Sequence, residues 1–245
     1  MRFVFPLAFL AFLAGLGVLI DWELVGSLDF SVAWEYREVL FRGLRLTIWI
    51  TMIATALGLL IGTLLAILSQ SPVAVVRWLV IAYVEIWRNT PLLVQLIWIH
   101  FALPMLTGIT TTAFQSGVIT MTLQASAYFT EIVRAGIEAI HKGQWEAANA
   151  LGIPAWHRWT RVILPQAGRV VIPPLANLAI SLFKATSILS ILSISELTTV
   201  TTRISKVAFK PIELFTVTAV IYFVVGYAMS RGTLRLERRL SASER

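Results

Sequence analysis

Glu131, Arg134 and Glu138 stand three and four residues apart in AYFTEIVRAGIEAI, so on a helix they share one face and can exchange ion pairs. Carboxylates beside an arginine also suit acid–base chemistry, but no nucleophile or metal cluster accompanies them. His100, His141 and His157 fall at different expected depths, which argues against a metal site. The chain has no cysteine, which excludes thiol catalysis, structural disulfides and sulfur ligands. Two readings of the trio stay open: a gating contact that shifts between states, or a structural ion ladder at a helix end.

Lys184, in SLFKATSILS, is the sharpest single residue, because it lies near the middle of an apolar run with Ser181, Thr186 and Ser187 around it. An ammonium at that depth faces a polar cavity, a carboxylate or backbone carbonyls. It is either a substrate or gating contact, or half of a structural pair with Glu196 or a partner subunit. In WRNTPLLVQL, Asn89 or Thr90 suits a helix cap and Pro91 the first turn. A helix start of that kind facing a cavity favours anions. With Gln95, Gln124 and Asn177, these polar residues (Asn89, Thr90, Ser181, Lys184, Thr186, Ser187) form the candidate substrate pathway.

The elements that position these groups are membrane spans. Hydrophobic residues make up 58% of the 245-residue chain, charged residues only 13%, and mean hydropathy is +0.80. Soluble domains carry about twice that share of charge. The apolar runs are Phe3–Ile20, Leu46–Leu68, Leu92–Leu106, Phe114–Val133, Val171–Ser195 and Leu214–Met229, with a weaker run, Val73–Trp87, read as a helix lying at the interface and leading into the next span. The expected organisation is an N-terminal transmembrane helix (1–22), a periplasmic segment (23–45), a transmembrane domain (46–230) and a basic tail (231–245). Phe3–Ile20 has no convincing cleavage site and reads as a retained anchor rather than a signal peptide.

With both termini cytoplasmic and spans alternating, Arg77, Arg88, Arg134, Lys142, Arg158, Arg161 and the tail arginines face inside. Only Arg37, Arg42, Arg45, Arg203, Lys206 and Lys210 face outside, several beside acidic residues. This is the positive-inside bias. The net charge of +7 is thereby explained without a nucleic-acid partner.

The bias also places a wet stretch, GQWEAANALGIPAWHRWTRVILPQA (143–167), on the cytoplasmic side, within a loop spanning about 140–167. Trp145–Leu151 supports two helical turns that Gly152 ends, and a second helix, Ala155–Leu164, is expected to stop at Pro165 with Trp156, Trp159 and Ile163 near one face. Helices this short are marginal alone. Ala147, Ala148 and Ala150 leave the first slim enough to enter a groove, and Glu146 near its start suits the helix dipole.

This segment resembles a known signature. Glu146-Ala147-Ala148, Gly152 and Ile163-x-Pro165 look like the EAA loop of bacterial ABC importer permeases, and YVEIWRNTPLLVQL, AYFTEIVRAGIEAIHKGQWEAANALG, ILPQAGRVVIPPLANLAISLFKATS and SELTTV look like the polar amino-acid branch, the histidine/glutamine/arginine type. The resemblance covers about Leu44 to Met229. It implies an all-α polytopic fold, a five-helix permease core with an extra N-terminal helix. It implies ATPase coupling through Gln144, Glu146, Ala147, Ala148, Gly152 and Pro165. The implied partners are two ATP-binding cassette subunits carrying ATP and Mg, a second permease subunit (identical or paralogous), an extracytoplasmic solute-binding protein and the bacterial inner-membrane bilayer. The chain has no GxxxxGK[ST] loop, so it is expected to be a non-catalytic translocation subunit that binds no cofactor. Relatives also carry opines and compatible solutes such as ectoine. An ion-coupled secondary transporter would need more carboxylates within its spans than this chain has, and a membrane enzyme would need a catalytic cluster at one depth.

Overall fold

The computed structural model describes residues 20–242, and the expected Phe3–Ile20 helix lies, but for its last residue, outside them. Two short turns, Trp22–Ser27 and Ser31–Glu35, lead into α1 (Arg37–Leu68). Then come α2 (Ala74–Asn89), α3 (Leu92–Thr107), α4 (Ala113–Glu138), α5 (Lys142–Ala150), α6 (Ala155–Leu192), α7 (Leu197–Ala208) and α8 (Pro211–Ala242). No strand occurs among the described residues, and the fold is all-α.

Small residues set the closest contact in the bundle. Along α1 a buried stripe repeats every fourth position through Ile50, Ala54, Gly58, Gly62 and Ala66. On α4, Gly117, Met121, Ala125 and Phe129 repeat at the same interval. A Cβ on Gly58 would lie 2.7 Å from the Ala125 Cβ, and one on Gly62 would lie 2.6 Å from the Phe129 Cβ. Lipid tails are as apolar as leucine, so helices in a bilayer adhere by close van der Waals contact, which small residues permit. Ile50, Ala54, Leu96, Met121, Ala125, Phe129, Leu182 and Leu189 form the main core around this seam. At the far end of α4, Gly136 leaves room for Val171 of α6.

α1, α6 and α8 are each long and apolar enough to cross a membrane, and α2 with α3 forms a fourth candidate bent by 106°. The 26-residue α4 is long enough but carries many hydroxyls, which suits a helix enclosed by others. Several of its hydroxyls bond within the helix: Thr120 donates to the Ser116 carbonyl at 2.6 Å and Thr130 to that of Ser126 at 2.7 Å. These polar groups away from water are satisfied by the helix's own carbonyls.

Several boundaries differ from the sequence expectation. α1 begins at Arg37, so the segment assigned to 23–45 ends in helix. α8 continues to Ala242, so the tail expected from 231 is an extension of a span. The largest correction concerns α6. Pro165 does not stop a helix and Pro173–Pro174 do not open one. The chain stays helical from Ala155 through a π-turn (Arg158–Ile163), an α-helix (Leu164–Ala185) and a 3-10 turn (Thr186–Leu192). Pro165 sits in the first turn after the π-turn, where its missing donor costs little. The inner prolines free the carbonyls of Arg169 and Val170, both on exposed positions. The expected disturbance near Lys184–Ser187 is the change from α to 3-10 at Thr186.

Candidate functional site

The EAA segment folds as a helix, a glycine corner and a bent continuation. α5 starts one turn early, at Lys142, because the His141 imidazole accepts from the Gly143 amide. It ends with Gly152 at φ 66°, whose amide donates to Asn149 while Ile153 donates to Ala148, each at 3.0 Å. These two bonds are the glycine-terminated helix end that the sequence leads one to expect. Ala148 is buried, whereas Glu146 and Ala147 are exposed; Leu151 and Trp156 stand 78% and 73% exposed. Trp156 therefore leaves the face shared by Trp159 and Ile163, because the π-turn rotates the residues after His157. Trp145 meets Trp159 edge to face at 5.1 Å, and the Arg158 guanidinium bonds the Asn149 side chain across the corner. Gln144 and Gln166 approach at 3.4 Å. Ile137, Ile140, Ile163 and Ala167 close a small core that fastens the loop to the end of α4.

That end of α4 carries the charged trio as one network. Arg134 holds Glu131 and Glu138 at 2.8 Å each. Sequence reasoning missed the fourth member, Arg88, whose guanidinium lies 3.3 Å from Glu131 and 5.6 Å above the Tyr128 ring. Its position one residue before the Asn89-Thr90-Pro91 break was the available signal.

The break itself is stitched rather than capped. Pro91 occupies the cap position of α3, with no side chain bonding the helix start. Asn89 and Thr90 instead bond backward, Asn89 to Glu85 and Thr90 to the Ile86 carbonyl. Buried Gln95 donates to the carbonyls of Trp87 and Thr90 at 2.8 and 2.9 Å, closing the elbow with one amide. α2 is thereby set crosswise to the arm that follows, which fits a boundary helix feeding a span.

The remaining pathway candidates divide by exposure. Asn177, Ser181 and Lys184 lie on one exposed stripe of α6, at helical spacing. Thr186 is buried and bonds the Phe183 carbonyl, Ser187 bonds that of Lys184, and Gln124 is half-buried in the middle of α4. Lys184 does not pair with Glu196. Glu196 is fully buried and caps α7, accepting from the amides of Thr198 and Thr199 at 2.9 and 2.7 Å and from the Tyr222 hydroxyl at 3.2 Å. Burial pushes its pKa up, against those hydrogen bonds.

A seam of spans, an exposed polar stripe and an outward EAA corner together describe the membrane-embedded subunit of a transporter. Residues 54–242 match the family described as the inner-membrane component of binding-protein-dependent transport systems, and the chain belongs to that family. It is an ABC importer permease, a multi-pass membrane protein. It is 34% identical over 213 residues to the glutamine transport system permease protein GlnP of Escherichia coli K12, covering 86% of this chain and 97% of that one. It is 36% identical to the L-cystine permease TcyB of Bacillus subtilis (92% and 93% covered) and 30% to the arginine permease ArtQ of the same organism (89% and 100%). A solved amino acid ABC transporter, crystallised with histidines, aligns with TM-score 0.83 at 34% identity over 87% of this chain and 99% of that one. A methionine ABC transporter, MetNI, shares the fold at TM-score 0.72 and 20% identity.

Proposed function

We propose that this permease carries a polar amino acid or a related zwitterion inward, driven by ATP hydrolysed on separate cassette subunits. The observation that carries the coupling half of this reading is the exposed corner at 142–157. A nine-residue helix with exposed Ala147 and a projecting Leu151 is shaped to enter a groove. Gln144, Glu146, Ala147, Ala148 and Gly152 are the docking residues, and Pro165 carries the loop into α6. Two ATPase copies bound to a permease pair would close on ATP and swing these corners together, favouring an outward-open bundle; hydrolysis returns it to inward-open.

The solute path in this reading runs along the Asn177–Ser181–Lys184 stripe, which in a permease pair faces the second subunit. Lys184 offers an ammonium to a solute carboxylate. Asn89, Thr90, Gln95 and Thr186 serve the frame of the path rather than its wall, since their side chains are engaged by backbone carbonyls. The EAA corner and both termini face the cytoplasm, as the arginine distribution favours. An extracytoplasmic binding protein delivers the solute at the opposite face. The amino-acid assignment is supported by the glutamine, arginine and cystine permeases among the relatives.

The test is uptake of labelled glutamine, arginine and cystine into proteoliposomes holding the permease with its ATPase and binding protein. ATP-dependent uptake of one of them, lost in Lys184→Met and uncoupled in Glu146→Ala, is the expected result. Uptake that needs no ATPase would overturn it.

A further inference from the structure

We propose that Arg88 is a positioning residue that delivers movement of the EAA corner to the α2–α3 elbow. This inference rests on the ATP-driven reading above and names a contact outside the loop and outside the polar stripe.

Three contacts converge on the last turn of α2. The Arg88 guanidinium lies 3.3 Å from Glu131, its cation sits over Tyr128, and the Tyr128 hydroxyl donates to the Arg88 carbonyl at 3.5 Å. One turn earlier, Tyr83 fixes α2 to α4 through the Ser126 hydroxyl at 2.6 Å. Glu131 shares a single oxygen, Oε2, between Arg88 and Arg134, and Arg134 reaches on to Glu138. Glu138 closes α4, between Ile137 and Ile140 of the core that seats α5. On the other side of Arg88, Gln95 locks the elbow by its two carbonyl bonds, so a shift of the α2 end turns α3 as a body.

Within this chain Arg88 is the under-satisfied member. Arg134 makes four hydrogen bonds to its two carboxylates, whereas the Arg88 guanidinium has the 3.3 Å ion contact and the Tyr128 ring, and its Nε is buried without a partner. A buried unpaired donor is costly. An unmet donor beside a carboxylate that two arginines share leaves this network a second arrangement to adopt, and coupling between distant sites requires an element with two arrangements. When the corner moves, Glu131 trades Arg134 for Arg88, Nε gains its acceptor, and the elbow turns.

The absence of native cysteine makes the test direct. Met105, at the far end of α3, is 87% exposed and takes a single cysteine carrying an environment-sensitive fluorophore. In the complete complex with its ATPase, in lipid, MgATP changes the emission of this probe. Arg88→Gln removes at least 80% of that change while the basal ATPase rate stays within twofold of the parent. Arg88→Lys, which keeps the charge, restores at least half of it. Glu131→Gln, isosteric and neutral, removes the change from the other side of the contact and carries the test if Arg88→Gln does not assemble. A full MgATP response in Arg88→Gln or Glu131→Gln overturns the relay and leaves the importer reading standing. Absence of any ATPase activity or response in the parent complex overturns the importer reading itself, and the relay with it.

Discussion

Glycine serves two regions of this molecule for opposite reasons. Gly58 and Gly62 are buried where a methyl group would collide with Ala125 or Phe129. Gly152 has open space around it and is needed only for its backbone angle, φ 66°. The first pair holds α1 against α4 as one rigid body by the absence of side chains. The single glycine fixes the direction in which a loosely attached helix leaves the bundle. A transporter driven by a partner needs both: a body that does not yield, and a corner shaped before the partner arrives.

Substitutions sharpen that contrast. The largest effect is expected at the seam, where Gly62→Leu drives a side chain into backbone and Phe129 and should leave no folded protein by size exclusion in mild detergent. Gly62→Ala should cost about 1–3 kcal/mol, read by thermal unfolding. A Gly62→Leu protein that melts like the parent would show the seam to be loose. Next is Glu196→Ala, which strips four donors of their acceptor and should cost about 2–3 kcal/mol, with Glu196→Gln recovering most of it. At the corner, Gly152→Ala should cost about 1 kcal/mol locally through its left-handed angle and weaken ATPase affinity more than it lowers the unfolding temperature. Loss of both in proportion would erase the distinction between body and corner. Smaller still, Leu151→Ser should change stability by less than ~0.5 kcal/mol while reducing co-purification of the ATPase.

The smallest effect concerns acid. The Lys210 and Ser31 hydrogen bonds hold Asp29 well below the usual carboxylate range. Its folded pKa is depressed, so its contribution is present at neutral pH and is lost as pH falls below about 4 toward the folded value. Asp29→Asn should flatten the fall of the unfolding midpoint between pH 5 and 3, a change of about one or two degrees at most.

The corner was readable in the sequence because its signals are local: alanines for slimness, a glycine at the helix end, a proline two residues on. The seam was readable only in part. Ala54, Gly58, Gly62 and Ala66 repeat every fourth residue, but the repeat does not say which helix they meet. Pro165, Pro173 and Pro174 misled, since proline ends helices in water. Here a π-turn supplies the slack before Pro165, and the inner pair is carried within a long span. Arg88 was overlooked because its partner lies over forty residues away on another helix, beyond the reach of any spacing rule. Asn89 and Thr90 have capping chemistry, yet the elbow used Gln95 instead, a choice fixed by tertiary burial.

The elbow also bears on how the chain enters the membrane. α2 has 16 residues and, at 1.5 Å each, rises about 24 Å; α3 is similar. Each falls short of a hydrocarbon core of about 30 Å, while the two laid end to end would overshoot it. Neither arm reaches across that core at full length without tilt or help from its neighbours. The stretch from Ala74 to Thr107 is therefore expected to seat against α4, through Tyr83 and Arg88, rather than independently of it. On these lengths the third hydrophobic run of the nascent chain is expected to settle together with the fourth rather than ahead of it.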